Sequence, residues 1–268
     1  MLASPWSNPA TTDAVFRLLQ QELPKAPGAG ALDIDWAQLK IADVGTGRGH
    51  FSHRLGAMMD DEAGLTPADH IFACDLIPDS FEYDGIVCHK TEADGRLPFD
   101  DNTFDAVISV EVIEHVEDQF AFIRELVRIA KPGALVVLTT PNTHHVGSRV
   151  RTLTWGFAHL YDPLPLKVHD PRLCGGHIHP IAPYFLAYTA LRSGLEKITF
   201  HGDRRKTSAS LWALILSPLL LLGRAAAARR IWRKSPEVAR ENDAWMKACN
   251  GWTMLTSRTV VLAGRKPE

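Results

Sequence analysis

A short apolar run ending in three alternating glycines constrains this chain more than any other feature. Residues 39–45, "LKIADVG", read as a buried strand, and "GTGRG" follows with Gly45, Gly47 and Gly49. Residues 50–59, "HFSHRLGAMM", then carry the apolar spacing of a helix. A strand that feeds a glycine turn and then a helix is the opening of a parallel βαβ unit. The theme repeats in "HIFACDL" at 70–76, "GIVCHK" at 85–90, "FDAVISV" at 104–110 and "GALVVLTTP" at 133–141, with the helical "QFAFIRELVRIAK" at 119–131. Lys131, Pro132 and Gly133 read as a helix stop followed by a turn. This alternation implies an α/β fold, a parallel sheet with helices on both faces.

The later half differs. Residues 149–183 are rich in His, Pro and Gly and show little periodicity, which reads as a functional insert or lid rather than a simple loop. "IAPYFLAYTALRSG" at 181–194 predicts a helix stopped by Gly194. "LEKITFHG" at 195–202 and "SRTVVLAGRK" at 257–266 predict two last strands. With no internal repeat, the expected organisation is one domain: a core over 39–141, a substrate insert and helical region over 142–256, and a last strand at 257–266.

Hydrophobic residues make up 46% of the 268 and charged residues 22%, enough for a sizeable core and against wholesale disorder. The net charge of −2 gives no push toward nucleic acid. Cys74, Cys88, Cys174 and Cys249 are widely spaced without a CxxC pair, which reads as reduced thiols in a cytoplasmic protein. The N-terminus lacks the pattern of a secretory signal, and no apolar run reaches the roughly 18–20 residues of a membrane span.

Glycines at the turn permit positive φ and a close approach of ligand to backbone, and the next helix aims its first N–H groups there. The dinucleotide fingerprint is G-x-G-x-x-G, whereas this turn is G-x-G-x-G with Asp43 two residues before it. That acid disfavours a pyrophosphate and tolerates an ammonium group, as in the amino-acid end of S-adenosylmethionine. Asp75, closing the second strand, can accept hydrogen bonds from both ribose hydroxyls.

The run "EADGRLPFDDNTFDAVISVEVIEHVED", residues 92–118, resembles the middle of class I S-adenosylmethionine-dependent methyltransferases. The resemblance covers about residues 39–141 with three motifs in order. It implies a Rossmann-like, mostly parallel sheet of seven strands with a reversed last strand, which the two late strands fit. It further implies S-adenosylmethionine as cofactor, with Asp43, Gly45, Gly47 and Gly49 around the methionine end, Asp75 on the ribose and Leu76 beside the adenine. Glu92 stands near the adenine where relatives usually have Asp, and Val110 and Glu111 pass under the cofactor at the end of the fourth strand.

Six of the twelve histidines fall between 144 and 179: His144, His145, His159, His169, His177 and His179. They follow the fifth strand, on the side where such sheets bind ligands. "TPNTHHVGSRVRTLTWGF" at 139–157 and "GGHIHP" at 175–180 resemble a subgroup of these methyltransferases associated with bacterial cell-envelope glycans. That resemblance implies O-methylation of a sugar hydroxyl of a polysaccharide or glycolipid, with His177 or His115 as base and no metal. His144, His145 and His179 would line the acceptor site, and Arg149 or Arg151 would grip a phosphate or acidic sugar. Competing readings stay open. His115, Glu111 and Glu114 could be structural, His144 and His145 could cap the fifth strand, and His177 with His179 could ligate a divalent ion. "VEVIEHVED" at 110–118 is also similar to quinone-pathway methyltransferases, so a small lipophilic acceptor is the runner-up, and a catalytically inactive cofactor-binding protein the third.

"LWALILSPLLLL" at 211–222 carries Pro218 in its middle, and eight Lys/Arg residues with no acid lie between Arg204 and Lys234. One reading is a core helix, a break at Pro218 and a surface helix. Another is an interfacial hairpin with Trp212 and the leucines in a bilayer, and Arg229, Arg230, Arg233 and Lys234 on anionic headgroups. A dimer interface or substrate lid is a third. The basic flank lacks the aromatic interleaving of an RNA-binding surface, and the oligomeric state is not legible.

Overall fold

The computed structural model describes residues 8–25, 34–92, 94–167, 176–205 and 207–268; His169 and Cys174 lie outside them. Seven strands form one sheet: β1 (Ile41–Val44), β2 (Ile71–Asp75), β3 (Cys88–Lys90), β4 (Phe104–Val110), β5 (Ala130–Pro141), β6 (Glu196–Gly202) and β7 (Thr259–Arg265). Their order is β3-β2-β1-β4-β5-β7-β6, with β7 antiparallel to both β5 and β6. The helices are α1 (Pro9–Glu22), α2 (His50–Ala63), α3 (Pro67–His70), α4 (Gln119–Ile129), α5 (Val146–Trp155), α6 (Pro183–Arg192), α7 (Thr207–Lys234), α8 (Pro236–Cys249) and α9 (Trp252–Thr256).

Alternate residues of the central strands feed opposite faces, as the period of two requires. Ile41, Ile108, Val137 and Val261 pack with Phe16, Leu19, Phe51 and Leu55 of α1 and α2. Ala42, Val107, Val136 and Leu262 pack with Ile123, Leu126 and Leu186 of α4 and α6. This double coverage explains why β1 buries every residue. α4 starts where the Asp118 carboxylate accepts from the N–H of Ala121 at 2.9 Å.

Three sequence expectations change. Residues Lys131, Pro132 and Gly133 are not a turn. They bulge out of β5 between the pairs Phe104↔Ala130 and Ala106↔Leu135, with Gly133 at φ 75°. Val146–Trp155, which runs into the stretch 149–183 read as aperiodic, is helix α5, capped by His145 whose Nδ1 accepts from the N–H of Ser148 at 3.3 Å. Residues 207–234 are one unbroken helix, neither a core helix nor a hairpin. Pro218 cannot donate to the Leu214 carbonyl; the Ser217 hydroxyl donates to it at 2.7 Å instead, so the helix runs on.

Candidate active site

The carboxyl ends of β1, β2 and β4 converge on the glycine turn. Gly45, Gly47 and Gly49 all have positive φ, at 74°, 55° and 83°. A Cβ on Gly45 would sit 2.4 Å from Val112 Cγ2, and one on Gly49 2.6 Å from Phe81. Glycine at these two positions therefore allows both the backbone shape and the packing. Asp43 is 1% exposed, and its Oδ2 accepts from the hydroxyls of Thr46 at 2.7 Å and Ser52 at 2.6 Å. Burial raises its pKa to about 6. Asp43 thus ties the turn to α2 from beneath.

Asp75 spans the turn from the other side. One carboxylate oxygen accepts from the Gly47 N–H and the other from the Ile77 N–H, both at 2.8 Å. Both oxygens keep a lone pair for a vicinal diol. Leu76 beside it is 53% exposed, an apolar surface for a purine. Arg48, the cation of the turn, pairs with Glu82 at 3.3 Å. Two carboxylates beside the turn and a neutralised arginine fit a sulfonium and ammonium better than a pyrophosphate. The residues therefore fit S-adenosylmethionine. Glu92 is exposed on the loop after β3, where its carbonyl accepts from Gly95 N–H.

At the end of β4, Val110 pairs with Thr139 of β5, and Glu111 takes a φ of 54°. That strained backbone is fixed by the Glu111 N–H donating to Thr139 Oγ1 at 2.9 Å. The Glu111 carboxylate turns toward β7, accepting from Thr259 Oγ1 at 3.3 Å, rather than toward the glycine turn. Burial raises its pKa, against the attraction of Arg258. Val112, against Gly45, then leads into the 3-10 turn Ile113–His115. The next residues of the acidic motif are therefore joined to the glycine turn through Val112.

Glu114, His115, His177 and Tyr161 meet there. Glu114 is 0% exposed, and neither of its oxygens has a hydrogen-bond partner among the described residues. Burial pushes its pKa up to about 8. His177 Nε2 lies 4.0 Å from Glu114 Oε1. The His177 ring stands edge-on to His115 at 4.9 Å and to Tyr161 at 5.2 Å between centroids. His115 Nδ1 meets the Gly176 carbonyl at 3.0 Å, so Nδ1 carries the proton and Nε2 the free lone pair. Burial lowers the pKa of both imidazoles. The insert is fastened here by the N–H groups of Ile178 and His179, both bonded to the Glu114 carbonyl. Ligand atoms of Glu114, His115 and His177 all lie within 4.8 Å of one another, a set that could also hold a divalent ion. Tyr161 was not singled out by sequence reasoning, because a lone aromatic in an aperiodic stretch carries no spacing signal.

Other named residues are engaged elsewhere. His179 Nδ1 meets the Val116 carbonyl at 2.7 Å, and the residues whose ligand atoms gather around His177 are Glu114 and His115. Arg149 donates to the His144 carbonyl at 2.8 Å and to Asn250 at 3.3 Å. Arg151 pairs with Asp162 and stacks over Trp155. These bonds engage both guanidinium groups in holding α5 to its surroundings. His144 has its pKa lowered to about 4 by burial and by Arg149, and buried His145 caps α5 and faces His159.

Residues 42–138 match the family model described as a methyltransferase domain. A stretch of 43 residues is 55% identical to norajmaline N-methyltransferase of Rauvolfia serpentina, covering 16% of this chain and 15% of that one. Over 140 residues the chain is 29% identical to the mitochondrial ubiquinone biosynthesis O-methyltransferase of Homo sapiens, covering 50% of this chain and 35% of that one. The matches thus span about a third or less of these curated relatives. A SAM-dependent methyltransferase from Archaeoglobus fulgidus has a TM-score of 0.50 at 15% identity, with 95% of this chain and 94% of that one covered. The fold is the Rossmann-like methyltransferase fold.

Proposed function

We propose that this protein is an S-adenosylmethionine-dependent O-methyltransferase whose acceptor is a hydroxyl on a lipophilic, quinone-like ring. The observation that carries the reading is the pair His115 and His177 above buried Glu114, set beside the glycine turn through Val112. Bound there, the cofactor supplies an activated methyl group. A hydroxyl oxygen that attacks it must lose its proton, and a neutral imidazole within reach is the natural base. His115 keeps Nε2 free because the Gly176 carbonyl holds Nδ1. His177 places its Nε2 4.0 Å from the Glu114 carboxyl, so an imidazolium formed there stays near an acid. Asp75 and the glycine turn orient the methyl donor, and the insert carrying His177 holds the acceptor side, which is the proximity term.

Support for a lipophilic acceptor comes from the ubiquinone-pathway relative and from the exposed Leu153, Trp155 and Phe157 on and after α5. The resemblance of residues 139–157 and 175–180 to glycan methyltransferases supports a second reading, a sugar hydroxyl. Methyl-labelled S-adenosylmethionine, supplied with a short-chain catechol quinol or with a bacterial envelope saccharide fraction, separates them. Label in the quinol is the expected result. Label in saccharide alone overturns the lipophilic reading, and label in neither, with cofactor bound, points to a binding protein.

A further inference from the structure

Helix α7 is the largest feature that the cofactor and acceptor sites leave unexplained. Its 28 residues extend about 42 Å at 1.5 Å per residue. Ala209 and Ala213 are buried, and Leu216, Ser217 and Leu220 are half-buried. These positions form one stripe at helical spacing, along which α8, α9 and α5 pack. The rest of the first half faces outward: Leu211, Trp212, Leu214, Ile215, Leu219, Leu221 and Leu222 are each 51–71% exposed. Monomeric soluble proteins rarely expose so much contiguous apolar surface. The second half is basic. Arg224, Arg229, Arg230, Arg233 and Lys234 are exposed and form no ion pair among the described residues. No acid occurs from residue 204 to residue 236.

By length and composition α7 could cross a membrane, but the topology forbids it. The helix is the link between β6 and β7, which pair with each other through His201↔Val261 and Gly202↔Val260. A single crossing would place these strands on opposite sides of the bilayer. The return segment α8 is 14 residues long and carries Glu237, Arg240, Glu241, Asp243 and Lys247, so it cannot span back. We infer that α7 lies along an anionic lipid bilayer surface, with the leucines and Trp212 between the acyl chains and the basic half on the headgroups. Charge decides between a bilayer and a second copy of the chain. Two α7 helices laid together would set the basic half against basic residues if parallel or against leucines if antiparallel, with no acid on either helix, whereas anionic headgroups supply the missing charge. The inference does not depend on the acceptor's identity.

The test is sedimentation of the full chain with phosphatidylcholine vesicles, with and without phosphatidylglycerol. Wild-type protein is expected in the pellet with phosphatidylglycerol and in the supernatant without it. Replacing Arg229 and Arg230 by Gln should weaken partitioning about 30-fold, from roughly 1 kcal/mol per basic residue at the surface. Replacing Leu219 and Leu222 by Ser should release the protein while its thermal midpoint stays unchanged, because both side chains face outward. Wild-type protein that stays in the supernatant with phosphatidylglycerol overturns the inference. So does a dimer in light scattering that the Leu219→Ser, Leu222→Ser variant converts to monomer.

Discussion

In the cofactor half, β1 buries every residue, and Asp43 and Asp75 accept four bonds that tie the loop above it to α2 and to the end of β2. In the acceptor half, α7 turns most of its leucines outward, and Glu114 and His177 keep buried polar atoms with no hydrogen-bond partner among the described residues. One region is shaped to hold a single ligand in a fixed pose. The other stores unspent hydrogen bonds and uncovered apolar surface, both of which are of use only when something else arrives. The difference places binding and reaction in separate elements, so substitutions should separate them as well.

The largest effect is expected at the turn. Gly45→Val sets branched carbons against Val112, where even a Cβ would lie at 2.4 Å, on a backbone at φ 74°. A loss of roughly 2–4 kcal/mol in unfolding free energy, with no cofactor binding detectable by calorimetry, is the expected outcome. Asp75→Ala comes next: cofactor affinity should fall at least tenfold while the fold survives, since Asp75 touches only backbone N–H groups of the turn and of Ile77. Unchanged affinity would move the pocket away from β2.

Glu114 gives the pH signature. The folded chain keeps its proton up to about pH 8, whereas the ordinary value is 4.5. Between these values the unfolded state binds fewer protons, so stability falls as pH rises through that window and levels off above it. Glu114→Gln should match wild type near pH 4 and exceed it by roughly 1–3 kcal/mol at pH 9 in denaturant titrations. An unaltered slope would show that the carboxyl is not held neutral. Arg149→Ala should have the smallest effect on rate: its guanidinium is spent on His144 and Asn250, so KM for the acceptor should change less than threefold. A large rise in KM would return Arg149 to the acceptor site.

The strands were legible because a doubly covered parallel sheet writes itself as apolar runs, and β4 appears in the sequence with its observed ends. The glycine turn was legible through positive φ. What stayed hidden depends on partners distant in sequence or on backbone detail. The bulge at Lys131–Gly133 looks like a turn because proline and glycine mark both. The continuity of α7 rests on the Ser217 hydroxyl covering for Pro218, a substitution of donors that hydropathy does not record. His177 and Glu114, 63 residues apart, meet because the insert folds back onto the Glu114 carbonyl, and no local spacing announces such a return.

The most direct test measures cofactor affinity and single-turnover methyl transfer in one double variant, His115→Ala with His177→Ala, at saturating quinol acceptor. The separation of binding from reaction predicts affinity within threefold of wild type and transfer reduced by about 10²–10⁴-fold, the span of general-base contributions. Wild-type transfer would show that the histidine pair is not the base, and a parallel loss of affinity would show that the two halves are not separate.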